Sequence, residues 1–151
     1  MARWSLALAS LVVVALASGA CAETSPTPPS TTAAESVGEV VPVDGGGQYI
    51  AILPEELKTM LATKDFLFVN VHVPYEGEIE KTDAFIPFDQ IETHLGEFPQ
   101  ANDAKIVVYC RSGGMGDSAA RDLVKAGYTN VHNLEGGFRA WSAAGYTLLQ
   151  K

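Results

Sequence analysis

Ile106-Val107-Val108-Tyr109 is an apolar, β-branched run of four residues, long enough only for a buried strand. Directly after it comes Cys110-Arg111-Ser112-Gly113-Gly114-Met115-Gly116, and after that Asp117 to Lys125, where Ala120, Leu123 and Val124 share one helical face. A thiol therefore sits where a strand ends and a helix is about to begin. Three glycines and a serine let the intervening backbone curl on itself, including into positive φ. Such a curl can aim several N–H groups at one spot, the spot that the positive end of the helix dipole also faces. A sulfur anion placed there is stabilised, which is the physical case for a reactive Cys110 rather than a small buried hydrophobe.

The rest of the chain repeats the alternation. Tyr49 to Ile52 reads as a strand, and Pro54-Glu55-Glu56-Leu57 opens a helix to about Ala62, with proline and acidic residues suited to a first turn. Phe66 to Val71 is a continuous apolar strand, Pro74 to Asp83 a polar loop, and Ala84 to Ile86 an edge strand. Asp89 to Leu95 reads as a helix capped by Asp89, and Asp117 as a second cap. Val131 to Leu134 forms a last strand, Glu135-Gly136-Gly137 a turn, and Phe138 to Ala144 a short helix anchored by Phe138 and Trp141. Strands alternating with helices imply an α/β fold: a mostly parallel sheet with helices on both faces, binding ligands beyond its carboxyl edge.

Before this domain, Arg3 and the apolar Leu6 to Ala17 read as a secretory signal, too short for a membrane span. Ser18-Gly19-Ala20-Cys21 resembles a bacterial lipobox, which implies a signal peptide at 1–20, lipidation at Cys21 and a membrane lipoprotein exported to the extracytoplasmic side. The alternative is an ordinary cleaved signal that releases a secreted or periplasmic soluble protein. Residues 21–39 are rich in Thr, Ser and Pro and read as a tether, leaving 40–151 as one domain. Cleavage before Cys21 would remove only Arg3 among charged residues, shifting the net charge from −8 to −9. An acidic surface argues against nucleic acid as a partner. With only Cys21 and Cys110 present, an acylated Cys21 leaves Cys110 without a disulfide partner, as befits a thiol kept for its chemistry.

Other chemistries lack their residues. No Lys-Ser/Thr follows the glycines, so the turn is no nucleotide P-loop. A Cys-x5-Arg phosphatase loop needs arginine at 116, where this chain has Gly116. His72, His94 and His132 stand apart from other ligands at metal spacing, so no metal site is assigned. His72 follows a strand near the same sheet edge as Cys110 and reads first as a surface or structural histidine.

Four linked blocks carry a family resemblance: Val108 to Gly113, Ala119 to Leu123, Ala126 to Val131, and Asn133-Leu134-Glu135-Gly136-Gly137-Phe138-Arg139-Ala140-Trp141. Together they resemble the C-terminal half of a rhodanese-like sulfurtransferase domain. The resemblance implies a five-stranded α/β fold with Cys110 at the base of a six-residue loop, Arg111 to Gly116. It also implies that Cys110 carries sulfane sulfur as a persulfide between a donor and a thiophilic acceptor, with no cofactor. A non-catalytic binding or sulfur-relay module acting with a partner protein is the alternative. This chain departs from the family at Asn70-Val71-His72, where Asp-Val-Arg is usual, so a carboxylate–guanidinium pair is expected to be missing. Gly77-Glu78-Ile79 stands for Gly-His-Ile. Met115 replaces a frequent Arg or Lys, and Gly116 a Ser or Thr, which removes a cation and a hydroxyl from the loop.

Overall fold

The computed structural model describes residues 38–149. The signal segment, Cys21 and residues 21–37 of the tether lie outside them. The described chain runs β1 (Glu39–Pro42), β2 (Gln48–Ile52), α1 (Pro54–Ala62), β3 (Leu67–Asn70), β4 (Glu78–Ile79) and β5 (Ala84–Phe85). Two 3₁₀ turns follow, Phe88–Gln90 and Glu92–Glu97, then β6 (Ile106–Tyr109), α2 (Gly114–Lys125), β7 (Val131–Leu134), α3 (Gly137–Ala143) and β8 (Leu148–Leu149).

The main sheet has the order β1-β2-β7-β6-β3-β5. The five strands β2, β7, β6, β3 and β5 are parallel, as expected, and β1 adds an antiparallel sixth at one edge. Part of the Pro74 to Asp83 segment, expected as loop, is β4, which pairs antiparallel with β8. Alternation along the strands divides two cores. Val69, Val71, Ile106, Val108 and Cys110 face α2 with Ala119, Ala120 and Leu123. Phe68, Val107, Tyr109 and Leu134 face α1 and α3, where Leu57, Leu61, Phe138 and Trp141 are buried. Full burial of a side chain such as Phe68 in one core or Leu123 in the other contributes about 1.5–3 kcal/mol, so both faces hold the sheet.

Local signals explain most boundaries. Glu56 reaches back to accept the Leu53 N–H (2.6 Å), fixing the start of α1. The end of α2 is a Schellman turn: Tyr128 N–H donates to Leu123 O (3.1 Å) and Gly127 N–H to Val124 O (3.0 Å). The expected helix over Asp89 to Leu95 is instead the pair of 3₁₀ turns, with His94 at non-helical angles. Ile91 is buried there against the α2 face, and tertiary packing decides the conformation of so short a segment.

Candidate active site

Cys110 follows β6, an interior strand, and is almost fully buried, at 1 % exposure. Strand alternation points its side chain toward α2. The Gly113 N–H donates to its Sγ at 3.1 Å. Among the described residues this is the one amide in hydrogen-bond geometry with the sulfur, where the sequence suggested several.

The helix also begins earlier than expected. Gly113 is the N-cap of α2, at φ 99°, and Gly114, Met115 and Gly116 form its first turn. The irregular loop is thus Arg111 to Gly113, and Asp117 is inside the helix rather than its cap. The Asp117 N–H donates to Gly113 O (2.8 Å), the first intrahelical bond, while the amides ahead of it belong to the unpaired start of the helix. A Gly-Gly-Met-Gly run has poor helix propensity, which is why the sequence suggested loop; the packing of α2 on the sheet overrides it.

The start of α3 orients the loop. The Phe138 N–H donates to Cys110 O (2.9 Å) and the Arg139 N–H to Arg111 O (3.0 Å). Because each peptide is planar and trans, holding these carbonyls toward α3 turns the following N–H groups the opposite way. Gly137 permits the approach: a Cβ there would overlap the Cys110 carbonyl oxygen, and its φ is +58°. The Glu135-Gly136-Gly137-Phe138 block therefore shapes the backbone beside the thiol.

Gly116 has a comparable role. A Cβ at 116 would overlap Asn133 Oδ1, so the missing side chain makes room for the end of β7 against α2. Asn133 is buried, and its Oδ1 has no hydrogen-bond partner among the described residues. The sequence reading did not single out Asn133; period-2 alternation along Val131 to Leu134 would have put it on the α2 face. It lines a cleft of about 590 Å³ that runs past Ser112, Gly113 and Gly114 to Tyr49 and Glu135. A second groove of about 450 Å³, between α1 and Lys105, is not lined by any residue of the Cys110 loop.

Tyr49 and Asp117 meet at the wall of the cleft. The Tyr49 hydroxyl donates to Asp117, and Arg121 Nε donates to both carboxylate oxygens (3.2 and 3.1 Å). Burial would raise the Asp117 carboxyl, but the bonds from Arg121 and Tyr49 overcome it and hold the group below its ordinary value. Burial and the neighbouring carboxylate push the Tyr49 phenol up to about 12. The trio is a structural clamp between β2 and α2.

On the other side of the loop, His72 is buried rather than superficial. Its Nδ1 lies 3.4 Å from Met115 Sδ, its ring packs edge-on against Phe138, and its Nε2 is 3.4 Å from Glu76 Oε2 outside hydrogen-bond geometry. Arg111 Nη1 lies 3.3 Å from each Glu76 oxygen. Asn70 Oδ1 accepts the His72 N–H (3.0 Å) and Asn70 Nδ2 donates to Gly77 O (3.0 Å), so a neutral amide organises the turn after β3. Glu76 carried no sequence signal, because it lies in a polar loop.

A parallel five-stranded core with a cysteine on a tight strand-to-helix loop, clamped by a second helix, defines a rhodanese-like domain. The rhodanese-like domain model matches residues 53–144, and the chain belongs to that family. It is 37 % identical over 100 residues to a sulfurtransferase of Allochromatium vinosum, covering 63 % of this chain and 90 % of that protein. It is 33 % identical over 79 residues to thiosulfate sulfurtransferase 16, chloroplastic, of Arabidopsis thaliana, covering 50 % of this chain and 60 % of that one. Among solved structures, reduced Bacillus anthracis CoADR-RHD superposes with a TM-score of 0.58 at 27 % identity, over 66 % of this chain and 18 % of that one. A rhodanese-related protein of Thermoplasma volcanium shares the fold with a TM-score of 0.57 at 23 % identity, over 67 % and 98 %.

Proposed function

We propose that this protein is a sulfurtransferase that carries sulfane sulfur as a persulfide on Cys110. The observation that carries the reading is the Gly113 N–H donated to Sγ at 3.1 Å beneath the unpaired first turn of α2, which favours a sulfur anion there. The Cys110 thiolate attacks the outer sulfur of a donor such as thiosulfate. The donor's S–S bond breaks, sulfite leaves with the bonding pair, and a Cys110 persulfide remains. An acceptor (cyanide or the thiolate of an organic thiol) then attacks the terminal sulfur, and the electron pair of the persulfide bond returns to Cys110 as thiolate. Splitting the transfer in two lets donor and acceptor bind in turn. Arg111, Ser112, Gly113, Gly114, Met115 and Gly116 form the substrate-binding segment in this reading, with Arg111 to Gly113 as loop and the rest as helix start.

The near-complete burial of Cys110 favours attention to a second reading, a non-catalytic relay that exchanges sulfur only when a partner protein displaces the loop. One assay decides. Purified protein with thiosulfate and cyanide is expected to form thiocyanate and, without acceptor, to gain the mass of one sulfur atom. Cys110→Ser is expected to do neither. Absence of both in the unmodified protein, with thiosulfate and with an organic persulfide as donor, rejects the enzymatic reading. From residues 1–21 we further propose export and attachment to the membrane through a lipid on Cys21.

A further inference from the structure

We propose that Glu76 is a specificity determinant: it turns the mouth of the Cys110 site away from dianionic donors and toward a persulfide carried on an organic thiol bearing an amine. This rests on the sulfur-transfer reading of Cys110. Arg111 is the cation next to the thiol in sequence, and both oxygens of Glu76 stand 3.3 Å from its Nη1. A thiosulfate dianion approaching Arg111 therefore meets a guanidinium already answered by a carboxylate. His72 offers no substitute, because its Nδ1 faces Met115 Sδ and its Nε2 faces Glu76 itself. Met115 supplies no charge in the first turn of α2. On the opposite side of the loop, the cleft along Ser112 and Gly113 is lined by Glu39, Asp117 and Glu135 and by no lysine or arginine. Of those carboxylates Asp117 is paired with Arg121. One wall is thus a cation already neutralised by Glu76, and the other carries the negative charge of Glu39 and Glu135.

The Arg111–Glu76 pair is half exposed, with side-chain exposures of 50 % and 39 %, so it adds little to folding and its effect belongs to approaching charge. The test compares kcat/KM of the unmodified protein and Glu76→Gln with thiosulfate and with cysteamine persulfide, at low and high salt. Glu76→Gln is expected to raise thiosulfate kcat/KM by about threefold to tenfold, through KM, and to leave or lower the value for cysteamine persulfide. High salt should shrink that difference, a response that a purely structural role would not produce. Equal changes with both donors, or none, overturn the role of Glu76 while leaving sulfur transfer intact. Failure of either protein to take sulfur from either donor overturns the transfer reading, and this proposal with it.

Discussion

At Gly116 two residue-scale effects compete, and their sizes decide the outcome. Alanine is the better helix former by about 1 kcal/mol, so propensity alone favours Gly116→Ala. Its Cβ would overlap Asn133 Oδ1, and overpacking of this kind costs about 1–3 kcal/mol. The clash should win, giving a net loss of about 1 kcal/mol in urea denaturation. Asn133→Ala should recover part of that loss in the double variant, since contacting residues are not additive. Gly137→Ala should cost more, because backbone rather than a movable side chain stands in the way and φ is positive. The pattern around Cys110 was readable as strand, glycines and helix. The atoms for which those glycines make room were not, since Asn133 and the Cys110 carbonyl approach from distant parts of the chain.

Among the elements, β7 carries a buried titratable group at the centre of the sheet. His132 is buried, its Nδ1 has no hydrogen-bond partner among the described residues, and burial together with the Lys105 charge lowers its pKa from 6.5. The native state therefore holds a neutral ring, while the unfolded chain takes up a proton as pH falls below about 6.5. The unfolded state binds more protons in that window, so stability should decline from pH 7.5 toward pH 5. His132→Val, a strand-forming replacement, should flatten that part of the urea midpoint profile relative to the unmodified protein. The carboxylate of Asp117, held low, acts in a separate window: its contribution is present above the ordinary carboxylate range and lost in stronger acid. Strand and helix positions came through well from periodicity. The exceptions were β1, whose Glu39 the sequence places at the end of the tether, the 3₁₀ turns, the early start of α2 and the β4–β8 pair, each settled by long-range packing.

For the whole molecule, the acidic balance and the segment before the domain bear on location. The net charge of −8 keeps the surface unfavourable for polyanions. No helix among the described residues is long and apolar enough to cross a membrane; the proposed attachment is through a lipid on Cys21. Cys21→Ser should move the protein from the membrane fraction to the soluble exported fraction, measured by fractionation and by loss of incorporated labelled fatty acid. Unchanged partition would reject the lipid anchor. Within the domain, β8 joins β4 and Trp141 Nε1 donates to Thr147 O (3.0 Å), closing the chain's end over the α3 face.

The alternation, the five parallel strands and the place of Cys110 were legible in the residues alone, because strand and helix periods and glycine punctuation are local properties. What surrounds the sulfur was not legible there and follows from the folded packing. The α3 amides that hold the loop carbonyls, the Asn133 amide against Gly116, and the Glu76 carboxylate on Arg111 come together through contacts between segments distant in sequence. No local pattern encodes the distance between such groups; the packing of two helical layers on one sheet sets it.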